Sequence, residues 1–68
     1  MKVLVTGASG RIGRAICLRL ARSHEVIGLD ASPSSTAHWV GDIGDESLLG
    51  RALCGIDAVV HVAALHAP

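Results

Sequence analysis

Three glycines near the start of the chain have the spacing of a turn that lets a phosphate approach the backbone. Gly7, Gly10 and Gly13 stand three residues apart, directly after an apolar run that ends at Val5. Backbone N–H groups at a helix N-terminus hold a phosphate without a basic side chain, because they point at it and the helix dipole adds its positive end. The chemistry that this pattern favours is the binding of an anion.

Each glycine has a separate expected role. Gly7 permits the sharp turn out of the strand, Gly10 keeps a Cβ out of the path of a pyrophosphate, and Gly13 lets the helix lie close to the strand. Ser9 and Arg11 are candidates for additional side-chain contacts. A glycine triplet alone also fits a tight turn without a ligand, so the prediction depends on its context.

That context is a carboxylate at the end of the next apolar run. Asp30 follows a run that begins at Val26, where an acid accepts hydrogen bonds from both hydroxyls of an adenosine ribose. A carboxylate there repels a 2′-phosphate, and residues 31–33 contain no arginine or lysine to neutralise one. The pattern predicts dinucleotide binding, with NAD favoured over NADP. Arg11 lies in the glycine turn, where its positive charge could neutralise a 2′-phosphate, so NADP stays as the alternative.

Other kinds of site have little support in the composition. The chain has no tyrosine or phenylalanine, and Lys2 is its only lysine, so a Tyr/Lys acid–base pair cannot form within it. The histidines are not paired at helical spacing and join no cysteine or acid cluster, so no metal site is predicted. His61, on a predicted strand, is expected to be a hydrogen-bonded core residue. Ser9 lies in G-x-S-G and not in the G-x-S-x-G of a hydrolase nucleophile. No catalytic residue is therefore assigned.

Hydrophobic periodicity predicts alternating strands and helices around these residues. Continuous β-branched and leucine-rich runs are typical of strands buried on both faces of a parallel sheet, and apolar residues at helical spacing predict amphipathic helices. The alternation predicts an α/β fold, one half of a doubly wound parallel sheet with the strand order 3-2-1-4. The predicted strands are residues 2–6, 25–30, 37–40 and 57–62, and the predicted helices are residues 11–22 and 46–54.

Length and charge limit the organisation and the partners of the chain. Its 68 residues form at most one domain, which at this size buries only about 60% of the surface that the unfolded chain exposes. Six basic residues balance six acidic ones, so neither nucleic acid nor a membrane surface is an expected partner. The apolar run before Gly7 is too short for a signal peptide or a membrane span, which favours a cytoplasmic protein. Cys17 and Cys54 are expected to be buried or half-buried thiols.

Four motifs occur in a fixed order along nearly the whole chain. They are Thr6-Gly7-x-x-Gly10-x-Ile12-Gly13, then Asp30, then Gly41-Asp42-Ile43 with Asp45, and then Gly55-x-Asp57-x-Val59-Val60-His61-x-Ala63-Ala64. In this order they resemble the extended short-chain dehydrogenase/reductase family, the NAD-dependent epimerase/dehydratases. The glycine spacing fits this family better than the G-x-G-x-x-G of other Rossmann dehydrogenases. The resemblance implies that residues 1–68 are a partial NAD(P)-binding Rossmann domain, the N-terminal fragment of a longer protein.

The resemblance also implies roles that spacing alone does not explain. Asp42 is expected to contact the amino group of adenine, and Ile43 to contact the ring through its backbone amide. Ala63 and Ala64 are expected to lie along the ribose and pyrophosphate of the cofactor. Arg11 and Ile12, within the glycine motif, complete the expected cofactor-binding residues. UDP-galactose epimerases often have lysine where this chain has His66, so the resemblance leaves the substrate class open.

The chemistry of the resembled family uses a Tyr-x-x-x-Lys pair together with a Ser or Thr, which move a hydroxyl proton while hydride passes to the nicotinamide. None of these positions exists in this chain, and the resemblance places them beyond residue 68 with the substrate region. The full-length form is expected to be an oxidoreductase of the epimerase or dehydratase type that acts on a nucleotide sugar or a related hydroxyl compound, with a homodimer left open. The alternative is a non-catalytic NAD(P)-binding sensor or regulator. A Tyr-x-x-x-Lys encoded downstream supports the enzyme.

The small size also bears on the stability of the chain by itself. One helix on each face has to cover four strands, which leaves apolar sheet surface and an open edge at the fourth strand. We therefore expect the isolated chain to be marginally stable or to aggregate unless a partner covers that surface.

Overall fold

Strands and helices alternate through the computed structural model, which describes residues 1–62. The elements in chain order are β1 (Lys2–Thr6), α1 (Arg11–Leu20), β2 (Glu25–Asp30), β3 (Trp39–Val40), α2 (Glu46–Ala52) and β4 (Ala58–His61). β1 and β2 have the predicted bounds. Each is an apolar run that ends at a clear signal, a glycine turn after β1 and a carboxylate at the end of β2.

The strands of the described part form one parallel sheet with the order β3-β2-β1-β4. β1 is central, since residues 2–6 pair with β2 and residues 3–6 pair with β4. β3 pairs with β2 at only two positions, Leu29 with Trp39 and Asp30 with Val40. The α/β fold class and the predicted order 3-2-1-4 are confirmed. Because the strands are parallel, the carboxyl ends of β1, β2 and β3 open at the same edge.

The two helices cover opposite faces of this sheet. Alternate residues of a strand point to opposite faces, and on β1 they pack into two separate clusters. Val3 and Val5 pack with Cys17 of α1, whereas Leu4 packs with Leu48 of α2. Leu4 and Val5 expose none of their surface. β1 is therefore buried on both faces, as its continuous apolar run predicts.

Both helices end earlier than the periodicity predicts. α1 ends at Leu20, because the amides of Arg22 and Ser23 bond to carbonyls three residues back, over 3.3 and 3.1 Å, in a tightened last turn. α2 ends at Ala52, two residues before its predicted end. Its C-cap is Leu53, and Gly55, two residues further on, has a φ of +75° in the turn that leads to β4.

The second pair of strands is shorter than predicted. β3 covers two residues where four are predicted. The amide of Gly28 on β2 donates to the ring of His38 and not to a main-chain carbonyl, so regular pairing starts at Trp39. β4 begins and ends one residue inside its predicted bounds. The connection from β2 to β3, residues 31–38, contains no helix, so this parallel crossover is made by a loop alone.

Two expectations about burial are wrong. Cys54 is exposed, because it lies beyond the end of α2 in the turn that leads to β4. Cys17 is buried beneath α1 as expected, and burial raises the pKa of its thiol. His61 is exposed instead of buried in the core, because β4 is the edge strand of the described sheet. It is nevertheless hydrogen-bonded as expected, with Nδ1 2.6 Å from Oγ1 of Thr6 on β1.

Several apolar side chains remain on the surface. Ile12 and Leu18 on α1 are 58% and 57% exposed, and Val59 on β4 is 49% exposed. Exposed apolar surface is the reason for expecting the isolated chain to be marginally stable or to aggregate. That expectation remains a prediction. Among residues 1–62, no helix has both the length and the apolar character needed to cross a membrane.

Candidate dinucleotide-binding site

A cleft of about 290 Å³ opens at the carboxyl edge of the sheet, where β1, β2 and β3 end. It brings together four of the residues that the sequence predicts for cofactor binding, namely Gly7, Asp30, Asp42 and Ile43. These residues are distant in sequence and meet because they follow neighbouring parallel strands. The other residues that line the cleft are Leu29, Ala31 and Gly41.

The glycine turn after β1 is attached to β2 through its backbone. Gly7 has a φ of +76°, in the left-handed region that favours glycine. In this conformation the amides of Gly7 and Ala8 both donate to the carbonyl of Leu29, over 2.9 and 3.2 Å. The chain therefore leaves β1 in the sharp turn predicted for Gly7.

Gly10 and Gly13 differ in what surrounds them. A Cβ at Gly13 would lie 1.8 Å from the carbonyl oxygen of Gly7, so only glycine lets α1 approach the turn this closely. A Cβ at Gly10 would meet that same oxygen at 3.6 Å, an ordinary van der Waals contact. The protein itself therefore has room for a side chain at Gly10. The predicted reason for glycine there, the approach of a pyrophosphate, remains a prediction.

The N-terminus of α1 presents backbone donors without acceptors. The helix has ten residues, begins after Gly10, and has no side-chain cap and no acid in its first turn. Its first backbone bond runs from the amide of Arg14 to the carbonyl of Gly10 over 2.8 Å. Within residues 1–62, no acceptor contacts the amides of Arg11, Ile12 or Gly13. Such a terminus favours an anion, both through these donors and through the helix dipole.

Asp30 is held in place by two backbone amides. Its Oδ2 accepts from the amide of Ser9 over 3.0 Å, and its Oδ1 accepts from the amide of Ser32 over 2.9 Å. The side chain is half-buried at the lip of the cleft. Because each carboxylate oxygen accepts more than one hydrogen bond, both oxygens keep capacity for further donors such as ribose hydroxyls. The carboxylate is thus fixed next to the glycine turn before any ligand binds.

Hydroxyl groups join the loop after β2 to the glycine turn. The Oγ of Ser9 contacts the carbonyl of Ser32 and lies 2.8 Å from the Oγ of Ser34. Thr36 is buried and donates from Oγ1 to the carbonyl of Ala8 over 2.7 Å. Sequence reasoning missed this network, because residues 31–36 have no periodicity. The signal was the density of serine and threonine in a loop that follows the acidic residue.

Asp42 and Ile43 form the β3 side of the cleft. Oδ1 of Asp42 accepts from the amide of Gly44 over 2.8 Å, a local turn that leaves the other carboxylate oxygen without a protein donor in the described residues. Ile43 is half-buried and packs against the cluster around Leu4. Asp45 then begins α2, since its side chain accepts from a backbone amide of the first turn over 3.1 Å. The motif therefore sets both the cleft wall and the start of the next helix.

The remaining predicted site residues are not part of this cleft. Arg11 and Ile12 lie on the outer side of α1, along a shallow apolar groove that also includes Ala15 and Ile16. Their side chains point away from the cleft lining, although their backbone amides belong to the helix N-terminus described above. Ala63 and Ala64 lie outside the described residues.

The charged side chains that line the cleft are both acids, Asp30 and Asp42. No arginine or lysine of the described residues is among its lining residues. In the same part of the chain, no group of three His, Cys, Asp or Glu side chains is arranged to hold a metal ion. The two carboxylates suit the cleft to a ligand that donates hydrogen bonds. Positive partial charge near the cleft comes from the N-terminus of α1.

Comparison with known proteins identifies related chains. The NAD dependent epimerase/dehydratase family matches residues 3–68. A UDP-glucose 4-epimerase of Klebsiella pneumoniae is 38% identical over 98% of this chain and 61% of its own length. An NAD-dependent glucose-6-phosphate dehydrogenase of Haloferax volcanii is 35% identical over 90% of this chain and 27% of its own length.

A solved structure supports the same relationship. A short-chain dehydrogenase/reductase superfamily protein from Agrobacterium tumefaciens, crystallised with bound NAD, superposes with a TM-score of 0.81 at 38% sequence identity. The match covers 91% of this chain and 20% of that protein. The chain spans between 8% and 61% of the length of the curated relatives it matches.

Proposed function

Because the chain belongs to the NAD dependent epimerase/dehydratase family, we propose that residues 1–68 form the part of its Rossmann domain that binds the adenosine and pyrophosphate of NAD. The observation that carries the proposal is the position of Asp30. Its carboxylate is fixed at the lip of the cleft, beside the glycine turn and the uncapped N-terminus of α1. A ribose bound to Asp30 would connect an adenine ring in the cleft to a pyrophosphate at the N-terminus of α1.

The helix N-terminus is the proposed pyrophosphate site. The amides of Arg11, Ile12 and Gly13 supply donors, and the dipole of α1 supplies partial positive charge. Gly10 lies directly before these donors and carries no Cβ to obstruct an approaching phosphate oxygen. Arg11 and Ile12 act in this proposal through their backbone, which agrees with the outward position of their side chains.

The cleft itself is the proposed adenosine site. Asp30 accepts from the ribose hydroxyls, while Asp42 and Ile43 on the opposite wall contact the adenine ring. The free carboxylate oxygen of Asp42 is an acceptor of the kind that the adenine amino group needs. Ala63 and Ala64 belong to the proposal through the family motif and are expected along the ribose and pyrophosphate.

The proposed cofactor is NAD and not NADP. A 2′-phosphate would lie next to the carboxylate of Asp30, where two like charges repel. The lining of the cleft offers no arginine or lysine from the described residues to offset that repulsion. Arg11 lies along the outer groove of α1 and is not a lining residue of the cleft.

The full-length protein is proposed to be an oxidoreductase of the epimerase or dehydratase type, acting on a nucleotide sugar or a related hydroxyl compound. Two relatives support this substrate class by name, one for UDP-glucose and one for glucose 6-phosphate. These 68 residues contain no tyrosine and a single lysine, Lys2, at the amino end of β1. The proposed contribution of this chain is cofactor binding, and acid–base groups for the reaction have to come from elsewhere.

A titration of the chain with NAD and NADP tests the proposal, using the wild type, Asp30→Asn and Glu46→Gln. Asp30→Asn removes the charge and keeps an oxygen that accepts a backbone amide, whereas Glu46 is an exposed residue of α2 outside the cleft. We expect saturable NAD binding by the wild type and by Glu46→Gln, and a loss of the preference for NAD in Asp30→Asn. A folded wild-type chain that binds neither dinucleotide contradicts the proposed function. Equal affinities in all three proteins contradict the role of Asp30 alone.

A further inference from the structure

The start of β3 is joined to β2 by an unusual pair of hydrogen bonds. The amide of His38 donates to the carbonyl of Gly28 over 2.8 Å. The amide of Gly28, however, donates to Nδ1 of the His38 imidazole, also over 2.8 Å. In a parallel ladder continued from the pairs Leu29–Trp39 and Asp30–Val40, the acceptor for that amide is the carbonyl of Ala37. The imidazole therefore occupies the place of a missing main-chain acceptor.

The ladder does not continue before His38 because the loop at Thr36 crosses over Gly28 instead of running beside it. A Cβ built on Gly28 would lie 1.8 Å from the oxygen of Thr36 and 2.7 Å from the Cβ of Ala8. The side chain of Thr36 fixes this path, since Oγ1 donates to the carbonyl of Ala8. The loop has thus exchanged a ladder bond for an attachment to the glycine turn, and the ring of His38 restores the lost acceptor.

An imidazole nitrogen accepts a hydrogen bond only while it carries no proton. With Nδ1 as the acceptor, His38 has to be neutral with its proton on Nε2. In the charged imidazolium both nitrogens are donors, so the N–H of Gly28 and the Nδ1–H of His38 would face each other. His38 is exposed, so its ring exchanges protons with the solvent. The bond therefore exists only while the ring is neutral, and it is lost when Nδ1 takes up a proton.

We propose that His38 is a positioning residue for the cleft: its neutral imidazole holds the start of β3 against β2, and its protonation releases the wall formed by Gly41, Asp42 and Ile43. β3 is short and pairs with β2 at only two positions, and beyond it the amide of Gly41 donates to the carbonyl of Asp30 over 2.9 Å. Loss of the His38 bond leaves the wall with fewer attachments. The ligand of the cleft is taken from the proposed function, but the coupling between His38 and the wall does not depend on it.

Charged groups near this segment are engaged with other partners. Arg14 of α1 donates to a serine of the loop over 3.3 Å, and Arg51 of α2 lies 5.7 Å from the centroid of the Trp ring on β3. Asp30 at the end of β2 accepts two backbone amides, and Glu25 at its start pairs with the lysine of β1. Within residues 1–62, none of these groups forms a hydrogen bond or an ion pair with His38. The pH response is therefore assigned to the ring and the amide that face each other.

The first test is nuclear magnetic resonance of the ¹⁵N-labelled chain, without cofactor, from about pH 8 to about pH 5, the interval in which histidine side chains commonly change charge. We expect the His38 ring to be protonated on Nε2 at the upper end, with the Gly28 amide protected from hydrogen exchange. Protection of Gly28 should fall about three- to tenfold as the ring becomes charged, the amount that one such bond supplies. A ring protonated on Nδ1 at the upper end, or a Gly28 amide that exchanges freely there, overturns the proposal.

Two variants distinguish the loss of the hydrogen-bond acceptor at residue 38 from the change in charge of its ring. In His38→Asn the Oδ1 atom takes the position of Nδ1 and does not titrate, whereas His38→Ala removes the acceptor altogether. Gly28 protection and NAD affinity should be retained in His38→Asn and independent of pH, and lowered about three- to tenfold at every pH in His38→Ala. His24→Asn, at the opposite edge of the sheet, should keep the wild-type pH profile. A wild-type profile in His38→Asn overturns the proposal.

The two proposals fail in different ways. If the chain binds no dinucleotide but Gly28 protection follows the His38 ring, the cofactor assignment is wrong and the positioning role stands. If NAD binds with an affinity that does not change between about pH 8 and about pH 5, where histidine side chains commonly change charge, the cofactor assignment stands and the positioning role is wrong.

Discussion

The backbone amide of Ser9 donates to Oδ2 of Asp30 over 3.0 Å, so the turn after β1 and the carboxylate at the end of β2 are joined directly. The contact uses the main chain of Ser9, and its hydroxyl is left to bind the loop. A substitution of the Ser9 side chain therefore separates the two connections, because it removes the loop contact and leaves the amide in place.

Ser9→Ala should loosen the loop without displacing Asp30. We expect a loss of about 1 kcal/mol in the free energy of unfolding, the net value of a typical hydrogen bond, and faster hydrogen exchange in residues 32–36. Chemical denaturation and exchange measurements check both values. Ser47→Ala, an exposed serine of α2, is the matched control and should be neutral. Unchanged exchange in the loop would show that the hydroxyl contacts do not restrain it.

Gly10→Ala should weaken cofactor binding without affecting stability. The backbone of Gly10 is extended, with φ −74° and ψ 169°, and an added Cβ makes only an ordinary contact with the protein. We expect an unchanged melting temperature together with a fall in NAD affinity of about tenfold or more, because the methyl group would lie in the path of the proposed pyrophosphate. Thermal melting and calorimetric titration give the two values. Full NAD affinity in Gly10→Ala would exclude a close approach of the pyrophosphate at this position.

Gly13→Ala should destabilise the fold, and Gly50→Ala should stabilise it. The added Cβ at Gly13 would lie 1.8 Å from the carbonyl oxygen of Gly7, which requires the helix to move away at a cost of at least about 2 kcal/mol. Gly50 lies inside α2 with no atom within 4 Å of an added Cβ, so alanine there should add about 0.5–1 kcal/mol. Denaturant unfolding measures both. Equal stabilities for the two variants would contradict the packing of α1 against the turn.

The two cysteines should differ in their rate of reaction with a thiol reagent. Cys54 is exposed, whereas Cys17 is buried beneath α1 and burial raises the pKa of its thiol. Because the thiolate is the reactive form, a raised pKa leaves less of it at any pH below that value. We expect Cys54 to react at once at neutral pH, and Cys17 to react slowly until the chain unfolds or the pH becomes strongly alkaline. The variant Cys54→Ser isolates the slow site. Rapid reaction of Cys17 in a folded chain would argue against its burial.

Patterns that are local in sequence predicted most of the fold and part of the site. The bounds of β1 and β2 follow from apolar runs with clear stop signals, and the strand order follows from the alternation of elements. Because the sheet is parallel, it then brings Gly7, Asp30 and Asp42 to one edge without further information.

The parts that were not predicted depend on side chains that replace main-chain contacts over long sequence distances. The hydroxyls of Ser9 and Thr36 join a turn to a loop that has no periodicity, and the ring of His38 takes the place of a ladder carbonyl. Neither of these side-chain contacts produces a repeating pattern in the sequence. The predicted length of β3 and the burial of His61 were wrong for a related reason, because both depend on how an edge strand is completed.

The central place of β1 also determines when the sheet can form during synthesis. β1 is translated before the other described strands, whereas its second neighbour, β4, is the last of them. Asp57 then closes that edge, accepting the amide of Lys2 over 2.7 Å and donating its own amide to the carbonyl of Lys2 over 2.8 Å. Contacts between such distant residues form slowly, because a long loop has to close before they contribute. Of the four described strands, β1 is thus translated before the others, yet its pairing is complete only after β4 has been made.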